Sequence, residues 1–232
     1  MSATEHTTSQ YVKKALPESF WKPILHQQQR KIYDRFARAF PPNAKWKILD
    51  LGTDASSDNR VNYILESNYP YESNITGSGL ENGEHFKSCF PTARYFQLTR
   101  SAQSLPFADG EFDIVFCSAV IEHVGSHDQQ LGFLREILRV SKRAFITTPN
   151  RWYPVEFHTM TPFLHWLPTR FYRRIYRILG FLFFSDEQNL NLLTRKSLLS
   201  LVPDEIRRYS RIESYRFLGL TSNYLLIVDS SY

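Results

Sequence analysis

Cysteine is almost missing from this chain: Cys89 and Cys117 are the only two in 232 residues. Two thiols cannot form the disulfide framework of a small secreted domain. Cys117 also falls within a nearly continuous apolar stretch, where a packed thiol is expected. Long apolar runs are missing too, and none approaches the roughly 18 residues that a bilayer span requires. The opening MSATEHTTSQ has no apolar core of the signal-peptide kind, so a cytoplasmic protein is expected. Acids are absent between Glu156 and Asp186, a stretch that holds Arg170, Arg173, Arg174 and Arg177. The formal charge of +5 is therefore unevenly placed. That imbalance points to a phosphate-bearing partner or a membrane surface. Nucleic acid is not expected, because the basic residues form no long stripe and no recognised binding motif occurs.

What is present suffices for one domain with a real core: 42% of residues are hydrophobic, with no internal repeat. The first 15 residues are expected to be flexible, and 16–232 to form a single domain. Ser19–Phe40 carries apolar residues at helical intervals and stops at Pro41-Pro42. Strands are expected at Lys47–Gly52, Asn74–Leu80, Ala93–Thr99, Phe112–Ala119 and Arg143–Pro149. A first crossover helix is expected near Asn59–Ser67 and another at Asp128–Val140. The latter would bury Leu131, Leu134, Ile137 and Leu138 and turn Arg135, Glu136 and Arg139 outward. Such alternation argues for βαβ units and a parallel sheet. Residues 151–202 break the rhythm and read as a helical insertion, with Thr194 as an N-cap and Pro203 as a stop. Arg211–Leu218 and Asn223–Val228, separated by Gly219 and a few polar residues, read as a terminal hairpin.

The segment LPFADGEFDIVF, followed by EHV, REILRV and a strand ending in Pro149-Asn150, resembles the class I S-adenosylmethionine-dependent methyltransferases. The likeness runs from about Trp46 to Asn150 and continues more weakly to the C-terminus. It implies a Rossmann-like α/β fold of seven strands, mostly parallel, with a C-terminal antiparallel hairpin. It also implies S-adenosyl-L-methionine as cofactor. In that family the turn after the first strand has an acid followed by alternating glycines. Here it reads Asp50-Leu51-Gly52-Thr53-Asp54-Ala55-Ser56, which keeps Asp50 and Gly52 and puts Asp54 and Ser56 at the later glycine positions. The acid that usually ends the second strand falls on Gly79, and Glu81 could replace it only if the loop bends. The acid that usually meets adenine falls on Ser101, beside Ala102 and Gln103. With Thr53, and with Ala119 and Glu122 after the fourth strand, these are the expected cofactor contacts.

Methyl transfer needs the acceptor aligned on the methyl carbon and, for many acceptors, a base. His123 beyond the fourth strand and His158 beyond the fifth are the catalytic candidates, since imidazole is suited to proton transfer near neutrality. Asn150, Arg151 and Glu156 are the expected acceptor contacts. Metal is not expected: His123 and His127 have helical ligand spacing but no third ligand. On a helix, Arg170, Arg173, Arg174 and Arg177 share one face, with Phe171, Ile175, Ile178 and Leu182 on another. That pattern suits peripheral contact with the inner face of a membrane. The HWLP segment resembles accessory regions of bacterial surface-polysaccharide methyltransferases. The expected function is methylation of a small-molecule, glycan or lipid-linked acceptor. The alternative is an inactive methyltransferase-fold subunit that binds a protein partner or serves as a scaffold.

Overall fold

A computed structural model describes residues 18–55, 63–99 and 104–231. The expected flexible N-terminus, the start of the expected first crossover helix and Ser101–Gln103 lie outside the described residues. Helix α1 (Glu18–Ala39) precedes β1 (Ile48–Leu51), β2 (Ile75–Gly79), α2 (Glu84–Cys89), β3 (Arg94–Gln97) and β4 (Ile114–Ser118). Then come α3 (His127–Val140), β5 (Arg143–Pro149), α4 (Thr169–Ile178), α5 (Arg195–Leu201), α6 (Asp204–Arg207), β6 (Ser210–Phe217) and β7 (Leu220–Asp229).

The strands form one seven-stranded sheet in the order β3-β2-β1-β4-β5-β7-β6. The first five pair in parallel, while β7 runs antiparallel to both β5 and β6. Strand alternation separates two cores. Leu49, Leu51, Val115, Cys117, Ile146 and Leu226 face α3 and α5 on one side. Ile48, Ile114, Phe116, Phe145 and Leu225 face α1 and α2 on the other. Phe36 of α1 sits edge-on to Phe116 at 5.3 Å and to Phe145 at 5.5 Å.

Several local expectations change. Tyr63–Tyr69, the described part of the first crossover, makes turns rather than a helix; Tyr69 N–H bonds to the Leu65 carbonyl. The hairpin turn is only Leu218-Gly219, both at positive φ, and Thr221 and Ser222 already belong to β7. Glu136 and Arg139 do not face solvent freely. Arg139 binds Glu136, Asp109 and the carbonyls of Leu105 and Phe107, and Glu136 accepts the Leu105 N–H. The LPFADG turn and the REILRV helix are thus one ion-paired unit that holds the start of β4 against α3.

Within 151–202, Tyr172 and Tyr176 of α4 pack with Phe184, Leu190 and Leu192 in a small separate core. This also corrects the reading of α4's faces. Arg173 turns inward to Glu187 and the Leu190 carbonyl. Ile178 (77% exposed) and Leu182 (68%) face outward with Phe171, Arg170, Arg174 and Arg177. Tyr176 takes the inner face where its hydroxyl finds partners: its Oη meets the hydroxyls of Thr159 and Thr161.

Candidate functional site

In open α/β sheets ligands gather beyond the C-terminal ends of the strands, and every described candidate lies there. After β1 the chain turns at Gly52 (φ 94°), and the Gly52 and Thr53 N–H groups both donate to the Ser78 carbonyl of β2 at 2.8 Å. The Asp50 carbonyl accepts from the Thr53 and Ser78 hydroxyls. A Cβ at Gly52 would run into Val120, and one at Gly79 into the Thr53 carbonyl oxygen. Gly79 is therefore more than a missing acid, because the β1 turn has moved into the room an acid would need. The Glu81 carboxyl bends back instead toward Asp54 and the Ala55 amide, and burial, with Asp54 nearby, raises its pKa. Ala119 ends β4 in the left-handed region (φ 57°), a conformation that costs a non-glycine residue energy and is concentrated at ligand sites.

Below the turn lies a pair that the sequence does not announce. Asp50 and Glu66 are both buried, and neither Glu66 oxygen has a hydrogen-bond donor. Burial pushes Asp50 up to about 6, and burial together with Asp50 also raises Glu66 well above its ordinary value. A proton held between the two carboxyls would relieve their repulsion, since adjacent buried carboxylates cannot both ionise cheaply.

Beyond β4 and β5 each titratable side chain is held by at least one partner. His123 and His158 stand edge to face with ring centroids 4.6 Å apart. His123 Nδ1 lies 2.6 Å from the Asn189 carbonyl, which fixes Nδ1 as the donor and leaves Nε2 as an acceptor. Burial, with His158 beside it, lowers His123 to about 4. His158 Nδ1 lies 2.6 Å from Glu156 Oε1. Glu156 also accepts the N–H groups of His158 and Thr159 and the Thr159 hydroxyl. Burial would depress the His158 pKa, but the Glu156 carboxylate outweighs it and raises the pKa. Burial would likewise raise Glu156, yet the charge and hydrogen bonds of His158 hold it at about 2. Glu122 is wholly buried and accepts the Thr148 hydroxyl on Oε2. Burial lifts it to about 7.

The remaining candidates have other work. Asn150 ties the end of β5 to Thr221 and Ser222, and its Oδ1 accepts the Trp152 N–H. Arg151 donates to the Leu167 carbonyl and lies over Trp152 and Tyr172, so it braces the insertion instead of standing free for an anion. Glu156, expected at the acceptor, serves His158. His127 points away to Ser200. Sequence reasoning missed Thr148, Asn189 and Glu66. Only Thr148 left a signal, as one of two adjacent threonines at the C-terminal end of a buried strand.

Residues 79–144 match a family model described as a methyltransferase domain. No curated protein matches the chain. A solved S-adenosylmethionine-dependent methyltransferase from Methanosarcina mazei is similar at 15% identity, covering 81% of this chain and 93% of its own, with a TM-score of 0.50. The PH0226 protein of Pyrococcus horikoshii is similar at 14% identity, with 86% and 88% covered and a TM-score of 0.54. Magnesium protoporphyrin IX methyltransferase from Synechocystis, solved with SAH bound, is similar at 13% identity, with 89% and 84% covered and a TM-score of 0.53. These likenesses concern the fold, and the matched segment includes the Leu105–Val140 unit described above. The chain has the fold of the class I S-adenosylmethionine-dependent methyltransferases, and its segment 79–144 is similar to a methyltransferase domain.

Proposed function

We propose that this protein transfers a methyl group from S-adenosylmethionine to a small polar acceptor. The observation that carries this reading is the meeting of His123 and His158, from two different strand ends, at the same sheet edge as the Asp50–Gly52 turn. Among the described residues, Asp50 and Gly52 keep the family pattern, while Asp54 stands at a glycine position and Gly79 at an acid position. The Gly52-Thr53 turn, Ala119 and Glu81 would hold the cofactor, with Glu81 in place of an acid at Gly79. The bound cofactor would supply a methyl group on a sulfonium. An acceptor that took this methyl in exchange for the broken carbon–sulfur bond would have to give up a proton. Glu156 fixes the His158 tautomer with Nδ1–H as donor, so Nε2 is available to accept that proton, much as a carboxylate orients histidine in hydrolase triads.

Calorimetric titration with S-adenosylmethionine tests this directly. Micromolar binding that disappears in Gly52→Val is expected. No binding at millimolar ligand would overturn it and favour a non-catalytic binding subunit, a reading supported by the closed approach of Thr53 to Gly79.

The acceptor's presentation follows from the insertion. Outward-facing Phe171, Ile178 and Leu182 beside Arg170, Arg174 and Arg177 make a surface suited to an anionic bilayer, and so to a lipid-linked acceptor. No described helix is long and apolar enough to cross a membrane. Reversing the three arginines to Glu is expected to weaken binding to anionic vesicles by at least about 1 kcal/mol per residue. Equal sedimentation of both proteins with vesicles would overturn that surface.

A further inference from the structure

One donor atom from each of Glu122, His123 and His158 lies within 4.8 Å of the others. What each group has left over is informative. His123 spends Nδ1 on the Asn189 carbonyl, and His158 spends Nδ1 on Glu156. Glu122 spends Oε2 on the Thr148 hydroxyl. Among the described residues the remaining atoms, the two Nε2 and Glu122 Oε1, have no hydrogen bond to the protein, and Glu122 Oε1 is fully buried. A buried carboxylate oxygen without a partner is costly and calls for a ligand, an ion or a water.

We propose that Glu122, His123 and His158 form a binding site for a divalent transition-metal ion of the zinc class. Two imidazoles and one carboxylate are borderline ligands that suit zinc, cobalt or iron, whereas magnesium and calcium prefer all-oxygen sites. The surrounding groups have the pattern found around such ions. Ligating histidines give their second nitrogen's proton to a carboxylate or a backbone carbonyl, which fixes the tautomer and aims the other nitrogen at the metal. Here Glu156 and the Asn189 carbonyl take those parts, and Thr148 orients the carboxylate. Charge also balances: the ion's two positive charges meet Glu122 directly and Glu156 through His158. Bonds of about 2.0–2.2 Å place ligand atoms closer together than the upper limit observed here, so the side chains must draw inward slightly on binding. The His123 side chain, on a short 3-10 turn and half-buried, can make that movement. Three protein ligands are the number usual in catalytic zinc sites, which keep one position open. With a metal bound, His158 Nε2 would be a ligand and no longer a proton acceptor, and the open position would take the acceptor oxygen and ease loss of its proton; the site itself rests on these atoms alone.

The test is a Co²⁺ titration of tag-free full-length protein, followed by visible absorption. One equivalent is expected to produce the d–d bands of a low-coordinate nitrogen–oxygen site, which Zn²⁺ should then abolish. His158→Asn and Glu122→Gln should each weaken Co²⁺ binding by at least about tenfold, and Glu156→Gln by about 10–100-fold through His158. His127→Asn should change nothing. Folded wild-type protein showing no bands in excess Co²⁺ would overturn the site. So would bands that persist unchanged in both ligand variants, with far-UV circular dichroism confirming their fold. Cofactor affinity is read separately by calorimetry. Loss of metal binding with cofactor binding intact would refute the site alone, and the reverse would refute only the methyl-transfer reading.

Discussion

The two halves of the sheet edge are built differently. On the β1–β2 side the polar contacts expected of the fold are thinned out, and backbone fills the space: Gly79 faces the Thr53 carbonyl, and the turn amides are spent on Ser78. On the β4–β5 side four titratable side chains converge, and each is held by a named partner. A side chain that must act at a fixed atom needs a second contact to hold it, so the β4–β5 side is prepared for chemistry in a way the β1–β2 side is not. The β1–β2 side can bind through shape and one relocated acid. The β4–β5 side concentrates buried charge, which a fold retains only at a cost in stability.

The strongest challenge to this contrast is to restore the family's acid. Gly79→Asp is expected to destabilise the protein by roughly 3 kcal/mol, because the new Cβ meets backbone and not a yielding side chain. Melting temperature should fall by roughly 6–12 °C, and cofactor affinity should fall with it. Gly79→Ala separates sterics from charge, and most of the loss should already appear there. Improved cofactor binding in Gly79→Asp would show that the turn is looser than described and that the two sides are alike. Next in size is Glu156→Gln, which removes the charge from four hydrogen bonds. A loss of roughly 2 kcal/mol is expected, or about 4–8 °C by calorimetric melting. Its cofactor affinity should be unchanged, since Glu156 belongs to the other side; a large drop would join the two halves into one unit.

Much of this was legible in the sequence. The apolar run Phe112–Ala119 and the periodicity of Asp128–Val140 required a buried strand and a helix packed on it, and strand–helix alternation then required a parallel sheet. His123, His158, Glu122 and Glu156 were legible as candidates because ionisable residues just past buried strands fall at the sheet edge whatever the loops do. Their pairing was not legible, since it depends on where the insertion brings Asn189 and His158, a long-range outcome with no local signal. The helical spacing of His123 and His127 carried no information about that pairing, and His127 turns away to Ser200. The faces of α4 were misread because hydrophobicity alone ranks Ile178 above Tyr176, while burial favoured the ring whose hydroxyl meets Thr159 and Thr161.

The smallest expected effect concerns Glu66, and its sign reverses the usual result of altering a buried charge. A carboxyl whose folded pKa is raised stabilises the fold only while protonated. Its contribution is full below the unfolded value and is lost as pH rises through the folded one. For Asp50 that window runs from its ordinary value of 3.8 to about 6, and the folded pKa of Glu66 is raised as well. Above it, the fold must hold two buried carboxylates against each other. Glu66→Gln replaces the shared proton with a permanent amide donor to Asp50, so it should stabilise the protein by roughly 1 kcal/mol at pH 8, or about 2–4 °C, and hardly at all at pH 5. Melting curves across that range check it. If the variant gains as much at pH 5 as at pH 8, no proton is shared between the carboxyls. The β1–β2 side would then carry no coupled pair of its own, and coupled buried groups would be confined to the β4–β5 side.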